Sequence, residues 1–330
     1  MHMSDALLVP AVGATMYLCS AVTAHRSISN INLKEDYKRL PMMGVAGAFV
    51  FAAQMVNFTI PGTGASGHIC GSILLTAILG PYAAFITMIG ILMIQALMFA
   101  DGGILALGCN IWNMAFYGCF LGGFMIWKPM MKRGITKKKI ATASILASIL
   151  TLQLGAFSVV VETTLSGITD LPFIQFAAMM QPIHLVIGLL EGLITGSVLL
   201  YLYETKPELL WMDESVSRGS SKKTLVTIFS AAIIVSGLFS LLASGNPDGL
   251  EWAIERTANG SDLQSVSLFH QILSQMQART ALLADYGVAG SSDQFGTIIS
   301  GLTGVLLLAA AGAVAGSLIR RFGKKKEYES

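Results

Sequence analysis

The sequence has few charged residues for its length. Asp, Glu, Lys and Arg make up 12% of the 330 residues, whereas hydrophobic residues make up 54%. Soluble globular proteins carry about 25% charged residues, so this chain has too few to cover a surface that faces water. The composition excludes a soluble enzyme, a nucleic-acid-binding protein and a disordered chain. It predicts an all-α, polytopic membrane protein.

Paired cysteines and nucleotide-binding loops are also missing. None of the four cysteines belongs to a Cys-x-x-Cys pair, and all four lie in apolar runs: Cys19, Cys70, Cys109 and Cys119. We expect buried thiols rather than disulfides or a zinc site. No Gly-x-x-x-x-Gly-Lys-Ser/Thr loop occurs, which excludes ATP binding by that route.

Apolar runs long enough to cross a bilayer recur along the chain. A spanning helix needs about 20 apolar residues, and seven charge-poor runs have that size: residues 6–24, 40–67, 102–127, 140–161, 171–203, 224–246 and 294–319. Residues 69–100 would form about 48 Å of helix, which is too long for one crossing of about 30 Å. Gly80-Pro81 interrupts this run, so it is either one tilted span or a pair with one short helix.

The positive charges decide between these alternatives. Nineteen of the 21 Lys and Arg residues fall in four clusters, at residues 26–39, 128–139, 206–223 and 320–326. Such clusters favour the cytoplasmic side, and all four share one side only if residues 69–100 cross twice. We therefore predict about nine transmembrane helices, with the amino terminus outside and the carboxyl terminus inside. Residues 1–5 contain no Lys or Arg, so we do not expect the first span to be a secretory signal peptide.

The first two residues, Met1 and His2, form a candidate metal chelate. The Met1 amine and the His2 amide nitrogen close a five-membered ring on a metal ion, and that amide and the near ring nitrogen of His2 close a six-membered ring. The amide must lose its proton, which Ni(II) and Cu(II) can drive, and both ions favour square-planar nitrogen sites. Histidine is too bulky for ordinary removal of the initiator methionine, so we expect the Met1 amine to survive.

His68 is the best candidate for the fourth nitrogen of the plane. It ends a glycine-rich segment, Pro61-Gly-Thr-Gly-Ala-Ser-Gly-His68, on the same predicted outer side as Met1. Non-helical backbone at membrane depth occurs where it lines a cavity enclosed by protein, and transporters build substrate sites from such segments. The alternative without a metal is a frayed terminus and an interfacial histidine.

Four segments of the chain resemble motifs of one family of metal transporters. They are Met1-His2-Met-Ser-Asp-Ala-Leu-Leu-Val-Pro10, Gly64-Ala-Ser-Gly-His68, Ala100-Asp-Gly-Gly-Ile-Leu-Ala-Leu-Gly108 with Asn110-Ile-Trp-Asn113, and His184-Leu-Val-Ile-Gly-Leu-Leu-Glu191-Gly-Leu-Ile-Thr-Gly196. Over residues 1 to about 203 the chain is similar to the cobalt/nickel substrate-binding membrane component (CbiM/NikM type) of energy-coupling-factor ABC transporters. The resemblance implies that the metal ligands are Met1, His2 and His68. Met3 and Ala6 stand where the family often has Ile and Gly, without consequence for these ligands.

The carboxyl-terminal part carries a second resemblance. Asn246-Pro-Asp-Gly-Leu-Glu251-Trp resembles the PDGLE segment of a small two-span auxiliary component, which in the family helps to load metal. This implies a metal-binding part of about seven spans at residues 1–203 and a cytoplasmic linker at 204–223. A two-span auxiliary domain would follow at 224–330, with an extracytoplasmic segment at 247–293. Asp248 and Glu251 also fit a helix-capping box, a role that we favour over direct metal ligation.

The resemblance implies a transport component rather than an enzyme. Its cargo would be Ni(II) or Co(II), and no cofactor is expected. The implied partners are a coupling transmembrane subunit, two ATPase subunits and the lipid bilayer of a prokaryotic cell membrane, with no nucleic acid. The sequence does not decide between nickel and cobalt, although square-planar chemistry favours nickel. Because His2 and His68 must be neutral to bind, we expect the affinity to fall as the pH drops through about 6.5.

A competing hypothesis is a rhomboid-like intramembrane serine protease. Gly64-Ala-Ser66-Gly67 fits the Gly-x-Ser-Gly pattern of that family, with Ser66 as the nucleophile and His184 as a base. This hypothesis does not explain the Met1-His2 pair, the nine spans or the PDGLE-like segment. The spacing from His184 to Gly188 is also one residue longer than in rhomboid proteases.

Several other polar residues have structural expectations. His184 and Glu191 are seven residues apart and share a helix face, and ionisable residues within a span are functional candidates by default. We expect Asp101 to face solvent at a helix end. His25 and His270 belong to no motif, so we expect both at the surface.

Overall fold

A computed structural model describes residues 1–31, 39–211, 221–258, 267–288, 290 and 292–327 of the chain. Of residues 293 and 319–327 only the backbone is described. Residues 212–220 of the predicted linker, and parts of the basic clusters and of segment 247–293, lie outside this set. The described chain is mostly α-helical, as the composition predicts, and its four cysteines are free thiols.

Two helices and a hairpin form the first third of the fold. Helix α1 spans Pro10–Asn30 and α2 spans Arg39–Gln54, and strands β1 (Phe58–Ile60) and β2 (Ala65–Gly67) then pair antiparallel, with Thr59 opposite Ser66. The apolar run 40–67, predicted as a membrane span with a glycine-rich loop at its end, is therefore helical only as far as Gln54. Gly62 and Gly64 have φ of 78° and 77°, a conformation that glycine adopts without strain, so the glycine-rich segment turns tightly.

The long run 69–100 is broken where the sequence predicts. Helix α3 covers Ser72–Leu79 and α4 covers Pro81–Met98, and Gly80 between them has φ of 76°. The left-handed conformation suits glycine, and the proline that follows starts the next helix. With eight residues, α3 is far shorter than a full membrane crossing, so the run is a pair with one short helix.

The middle of the chain forms a tightly packed helical layer. It consists of α5 (Leu107–Ile111), a π-helical segment (Trp112–Trp127), α6 (Lys128–Met131), α7 (Lys137–Ser166) and α8 (Phe173–Thr205). Helices α7 and α8 approach so closely that a Cβ added at Gly192 would lie 2.6 Å from the Cα of Ile145. Small residues at such contacts let membrane helices pack backbone to backbone.

The carboxyl-terminal helices pack against the first part of the chain. They are α9 (Lys222–Gly237), α10 (Gly249–Thr257), α11 (Leu268–Thr280) and α12 (Asp293–Glu327). Helix α12 lies along α2, and a Cβ added at Gly44 would be 2.8 Å from the Cα of Gly312. This glycine-on-glycine contact joins the two parts of the chain within the apolar layer.

Five helices among the described residues are long and apolar enough to cross a membrane. They are Pro81–Met98, Lys137–Ser166, Phe173–Thr205, Lys222–Leu242 and Gln294–Leu318. The fold is thus that of a helical membrane protein.

Segments that the charge pattern assigns to one side of the membrane meet at one end of the fold. At the predicted cytoplasmic end, Trp127 donates its ring N–H to the carbonyl oxygen of Trp211, 3.0 Å away, and Lys137 pairs with Glu204. At the opposite end, the amino terminus, residues 61–68, residues 99–103 and helices α10 and α11 contact one another.

Candidate metal site at the amino terminus

The amino terminus is folded into the protein. Met1 and Met3 are 6% and 0% exposed. The Met3 amide donates to Asn110 Oδ1 at 2.8 Å, and its carbonyl oxygen accepts from Asn110 Nδ2 at 3.1 Å and from the Gly103 amide at 2.9 Å. These bonds satisfy the backbone on both sides of Met3, so the alternative of a frayed terminus is wrong.

The Met1 amine forms an ion pair with Asp248. Its nitrogen lies 2.9 Å from Asp248 Oδ2. Burial lowers the pKa of this amine, but the Asp248 carboxylate raises it, and the net pKa lies above the ordinary value of 8.0. Burial would likewise raise the pKa of Asp248, yet the adjacent amine and the backbone hydrogen bond bring it below its ordinary range. Both groups are therefore charged near neutral pH.

The His2 ring has a polar side chain at each of its two nitrogen-bearing edges. Its Nδ1 is 3.1 Å from Asp101 Oδ1, and its Nε2 is 3.2 Å from Gln95 Oε1. Burial lowers the pKa of His2, and Asp101 offsets part of this shift. Asp101 also accepts a hydrogen bond from the Tyr286 hydroxyl at 2.6 Å. Asp101 keeps 24% of its side chain exposed, but it also contacts His2, a role that the expected solvent exposure did not include.

The ring of His68 stacks on the ring of His2. Their centroids are 5.4 Å apart and the ring planes differ by 22°. His68 Nδ1 lies 3.0 Å from the carbonyl oxygen of Ile69, which can only accept a hydrogen bond, so Nδ1 carries the proton and Nε2 has a lone pair. Burial, the Met1 amine and His2 lower the pKa of His68 to about 4. The structure thus brings Met1, His2 and His68 together.

Asp248 has two functions, one for each carboxylate oxygen. Oδ1 accepts hydrogen bonds from the Leu250 and Glu251 amides, both at 2.8 Å, and Glu251 Oε2 accepts from the Asp248 amide at 3.1 Å. This is the predicted capping box at the start of α10. Oδ2 is the oxygen that holds the Met1 amine, a contact that the sequence pattern did not reveal.

The PDGLE-like segment packs on the hairpin that leads to His68. The Ser66 amide donates to the Pro247 carbonyl oxygen at 2.8 Å, and Trp252 donates its ring N–H to the Thr63 carbonyl oxygen at 2.9 Å. Ser66 Oγ donates to the carbonyl oxygen of Asn246 at 2.8 Å. Among the described residues no hydrogen bond joins Ser66 to His184, so the pair that a protease would need does not form.

His184 and Glu191 reach the same region from helix α8, which already begins at Phe173. Glu191 accepts hydrogen bonds from the Cys70 and Gly71 amides, at 2.8 and 3.0 Å, and so fixes the backbone just after His68. His184 Nδ1 bonds the Met180 carbonyl oxygen at 2.8 Å, and its buried Nε2 has no hydrogen-bond partner among the described atoms.

Two cavities adjoin the site. One of about 670 Å³ is lined by His2, His68 and the carboxylates Asp101, Asp248 and Glu251. A much smaller one, of about 10 Å³, lies among Met1, His68 and His184, where there is room for roughly one water molecule. The large cavity gives a solvated, negatively charged approach to His2 and His68.

Within the described ranges, no group of three or more His, Cys, Asp or Glu side chains could hold a metal ion. The stacked rings of His2 and His68 supply two imidazole nitrogens, fewer than a four-coordinate ion needs. Nitrogen donors of this kind suit Ni(II) or Cu(II) better than oxygen-seeking ions.

Sequence reasoning missed several residues near the site. Gln54 and Gln95 are buried polar residues within apolar runs, a signal that predicts a hydrogen-bonded role. His270 is 4% exposed and lies 2.8 Å from the Leu8 carbonyl oxygen, so its predicted surface position is wrong. No local sequence pattern predicts the hydrogen bond between His270 and Leu8, because 262 positions separate the two residues.

Replacing Asp248 with Asn separates its two functions. Asn is also a good helix cap, but it cannot pair electrostatically with the Met1 amine, so docking of the terminus should weaken by about 1.5–3 kcal/mol. We expect an amine-specific acylating reagent to modify Met1 faster in Asp248→Asn. Glu251→Gln is the matched control, because Gln also completes a capping box and the Asp248 carboxylate stays. Equal rates in Asp248→Asn and the unmodified chain would contradict this role.

The fold and the site together define the class of the molecule. It is a helical membrane protein whose buried amino terminus lies beside two stacked histidines. The family model described as "Cobalt uptake substrate-specific transmembrane region" (CbiM) matches residues 2–209, and the one described as "PDGLE domain" matches residues 222–321. The chain therefore belongs to the CbiM family, with a PDGLE domain fused to its carboxyl-terminal side.

Proteins of the same arrangement occur in bacteria and archaea. The chain is 30% identical over 312 residues to an Archaeoglobus fulgidus protein assigned as a fused nickel transport protein, NikMN, covering 94% of this chain and 97% of that one. It is 27% identical over 350 residues to the fused nickel transport protein NikMN of Rhodobacter capsulatus, covering 98% and 100%. A crystal structure of a transition metal transporter superposes with a TM-score of 0.54 at 33% identity, over 62% of this chain and 93% of that chain.

Proposed function

We propose that this chain is the substrate-binding membrane component of an energy-coupling-factor transporter that imports Ni(II) or Co(II). The metal would be held by the Met1 amine, the amide and Nδ1 nitrogens of His2, and His68 Nε2. The observation that carries this proposal is that the buried Met1 and His68 line the same small cavity, while the His68 ring stacks on the His2 ring. Relatives named as nickel transport proteins and as a cobalt transport protein support these two ions as cargo.

The hydrogen bonds around the proposed donors favour metal binding. The Ile69 carbonyl oxygen holds the His68 ring so that Nε2 is the free nitrogen, the usual arrangement for a histidine ligand. Asn110 fixes Met3, which limits how far the Met1 amine and the His2 amide can move. A divalent ion would replace the ammonium proton, and the negative charge of Asp248 and Asp101 would favour the cation.

The proposal includes a topology and a division of the chain. We propose about nine spans with the amino terminus outside, a metal-binding part at residues 1–203, a linker at 204–223 and an auxiliary domain at 224–330. The meeting of segments predicted to be extracellular at one end of the fold supports this topology. Because the chain lacks a nucleotide-binding loop, transport would need a coupling subunit and two ATPase subunits in the membrane of a prokaryote.

Metal analysis of the purified chain tests the proposal. Cells would be grown with equal nickel and cobalt, and the metal content of the detergent-purified protein would be measured. We expect about one Ni(II) or Co(II) per chain, because all donors lie in one site, and no metal in His2→Ala. His25→Ala is the control, since His25 is exposed on α1. A chain that retains neither ion, or retains it equally in His2→Ala, would refute the proposal.

The pH dependence of binding reports which protons the metal displaces. Burial lowers the pKa of His68 to about 4 and that of His2 below 6.5, so few protons leave the imidazoles above about pH 6. This replaces the expectation that imidazole protonation reduces the affinity as the pH drops through about 6.5. The Met1 amine, with its pKa above 8.0, and the His2 amide each lose one proton. The logarithm of the affinity should therefore rise by about two per pH unit between about pH 6 and 8. Titration calorimetry measures this, and a break near pH 6.5 would mean that the imidazoles still carry protons there.

A further inference from the structure

A chain of hydrogen bonds runs from the His2 ring to the backbone just after His68. His2 Nε2 lies 3.2 Å from Gln95 Oε1, Gln95 Nε2 donates to Gln54 Oε1 at 2.9 Å, and Gln54 Nε2 donates to the Cys70 carbonyl oxygen at 2.8 Å. Gln54 and Gln95 are 4% and 1% exposed, so water competes little for these bonds. We call Gln54 and Gln95 the glutamine relay.

The direction of the glutamine relay is fixed at its far end. The Cys70 carbonyl oxygen can only accept a hydrogen bond, so the Gln54 group facing it must be the amide N–H. The side-chain oxygen of Gln54 then faces Gln95, so Gln95 must donate its side-chain N–H to it. The side-chain oxygen of Gln95 is therefore turned toward His2. An oxygen at this place accepts only if His2 Nε2 carries a proton.

The opposite edge of the His2 ring has a competing acceptor. Asp101 Oδ1 is 3.1 Å from His2 Nδ1, and a carboxylate is a stronger acceptor than an amide oxygen. Asp101 alone would favour a proton on Nδ1, and a protonated Nδ1 cannot bind metal. Nδ1 is also the only ring nitrogen that can close the six-membered chelate with the His2 amide.

We propose that Gln54 and Gln95 are positioning residues that keep the His2 proton on Nε2 and leave Nδ1 for the metal. This inference rests on the proposed function. Partners of metal-bound histidines commonly orient the ring through the nitrogen that does not bind metal. Here the glutamine relay is anchored at the Cys70 carbonyl oxygen, two residues after His68. The segment that carries His68 therefore also orients the His2 ring.

Two substitutions at Gln95 test the relay. Gln95→Leu removes the acceptor, so we expect the His2 proton to move from Nε2 to Nδ1, next to Asp101, and the Ni(II) affinity to fall by about 10–100-fold. Gln95→Glu keeps an acceptor at Nε2 and should retain the Nε2 proton and most of the affinity. Nitrogen-15 NMR of histidine-labelled protein without added metal identifies the protonated ring nitrogen, with His2→Ala assigning the signals.

Matched variants keep the test independent of folding. Gln153→Leu removes a similar side-chain bond, from Gln153 Nε2 to the Gln181 carbonyl oxygen at 2.9 Å, and should change neither readout. If Gln95→Leu fails to fold, Gln54→Leu removes only the anchor of the relay and should produce the same change of tautomer. Wild-type affinity, or an unmoved Nε2 proton, in the folded variants would overturn the inference. Absence of metal binding by the unmodified chain would instead refute the proposed function, while the NMR readout would still test the relay.

Discussion

A four-residue extension before Met1 should abolish retention of Ni(II). The addition turns the Met1 amine into an amide and moves the free amine four residues away, so the free amine no longer closes a ring with the His2 amide. A single added residue is unsuitable, because a free amine with histidine at the third position is itself a strong square-planar chelate for Ni(II). The added residues would also enter a buried position, since Met1 is 6% exposed and its nitrogen contacts Asp248. We expect the bound metal of the purified protein to fall from about one ion per chain to background, because all four donors belong to one ion.

A cleavable extension provides the control for this experiment. A short segment ahead of Met1, with a protease site that ends directly before it, should block binding until cleavage frees the Met1 amine. Residues added after Ser330 should have no effect. Retention of Ni(II) by the uncut extended protein would show that the terminal amine is not a ligand, and binding would then need another donor set.

Replacing His68 with Gln should cause the second-largest loss. Gln fills much of the same space and can donate to the Ile69 carbonyl oxygen as His68 Nδ1 does, but it offers no imidazole nitrogen. The affinity should drop by more than the about 10–100-fold typical of residues that only support a ligand. Met1 and His2 would still chelate weakly, with a solvent oxygen in the fourth position.

Visible spectroscopy separates a lost ligand from a disturbed fold. The d–d absorption of planar Ni(II) depends on its donors, so His68→Gln at saturating nickel should show a shifted band. His25→Gln is the control, because His25 is exposed on α1. An unchanged spectrum in His68→Gln would remove His68 from the ligand set.

The fold was predictable where composition or charge carries a direct physical consequence. Gly80-Pro81 breaks a run too long for one crossing, and helices end and begin there. The membrane topology that the positive clusters indicate stays a prediction. The hairpin after Gln54 was missed, because residues 55–60 are apolar and a short apolar run does not distinguish the end of a helix from a strand.

The candidate site, like the fold, could be predicted only in part from the sequence. Met1, His2 and His68 could be predicted from bonding chemistry and family motifs, and the structure brings them together. The partners of Met1 and His2 could not, since they depend on tertiary contacts. Asp248 lies 247 positions from Met1, and its capping box accounts for only one of its two oxygens. In the sequence Asp101 is typical of an exposed residue at a helix end, and only the structure shows its contacts with Tyr286 and His2.

X-ray absorption spectroscopy of the nickel-loaded protein tests the central claim most directly. Four nitrogen donors in a plane, from Met1, His2 and His68, predict a four-coordinate first shell with imidazole scattering and the pre-edge feature of square-planar Ni(II). The imidazole contribution should decrease in His68→Gln. A six-coordinate shell rich in oxygen would contradict the account, because it would place the metal among the carboxylates of the large cavity instead.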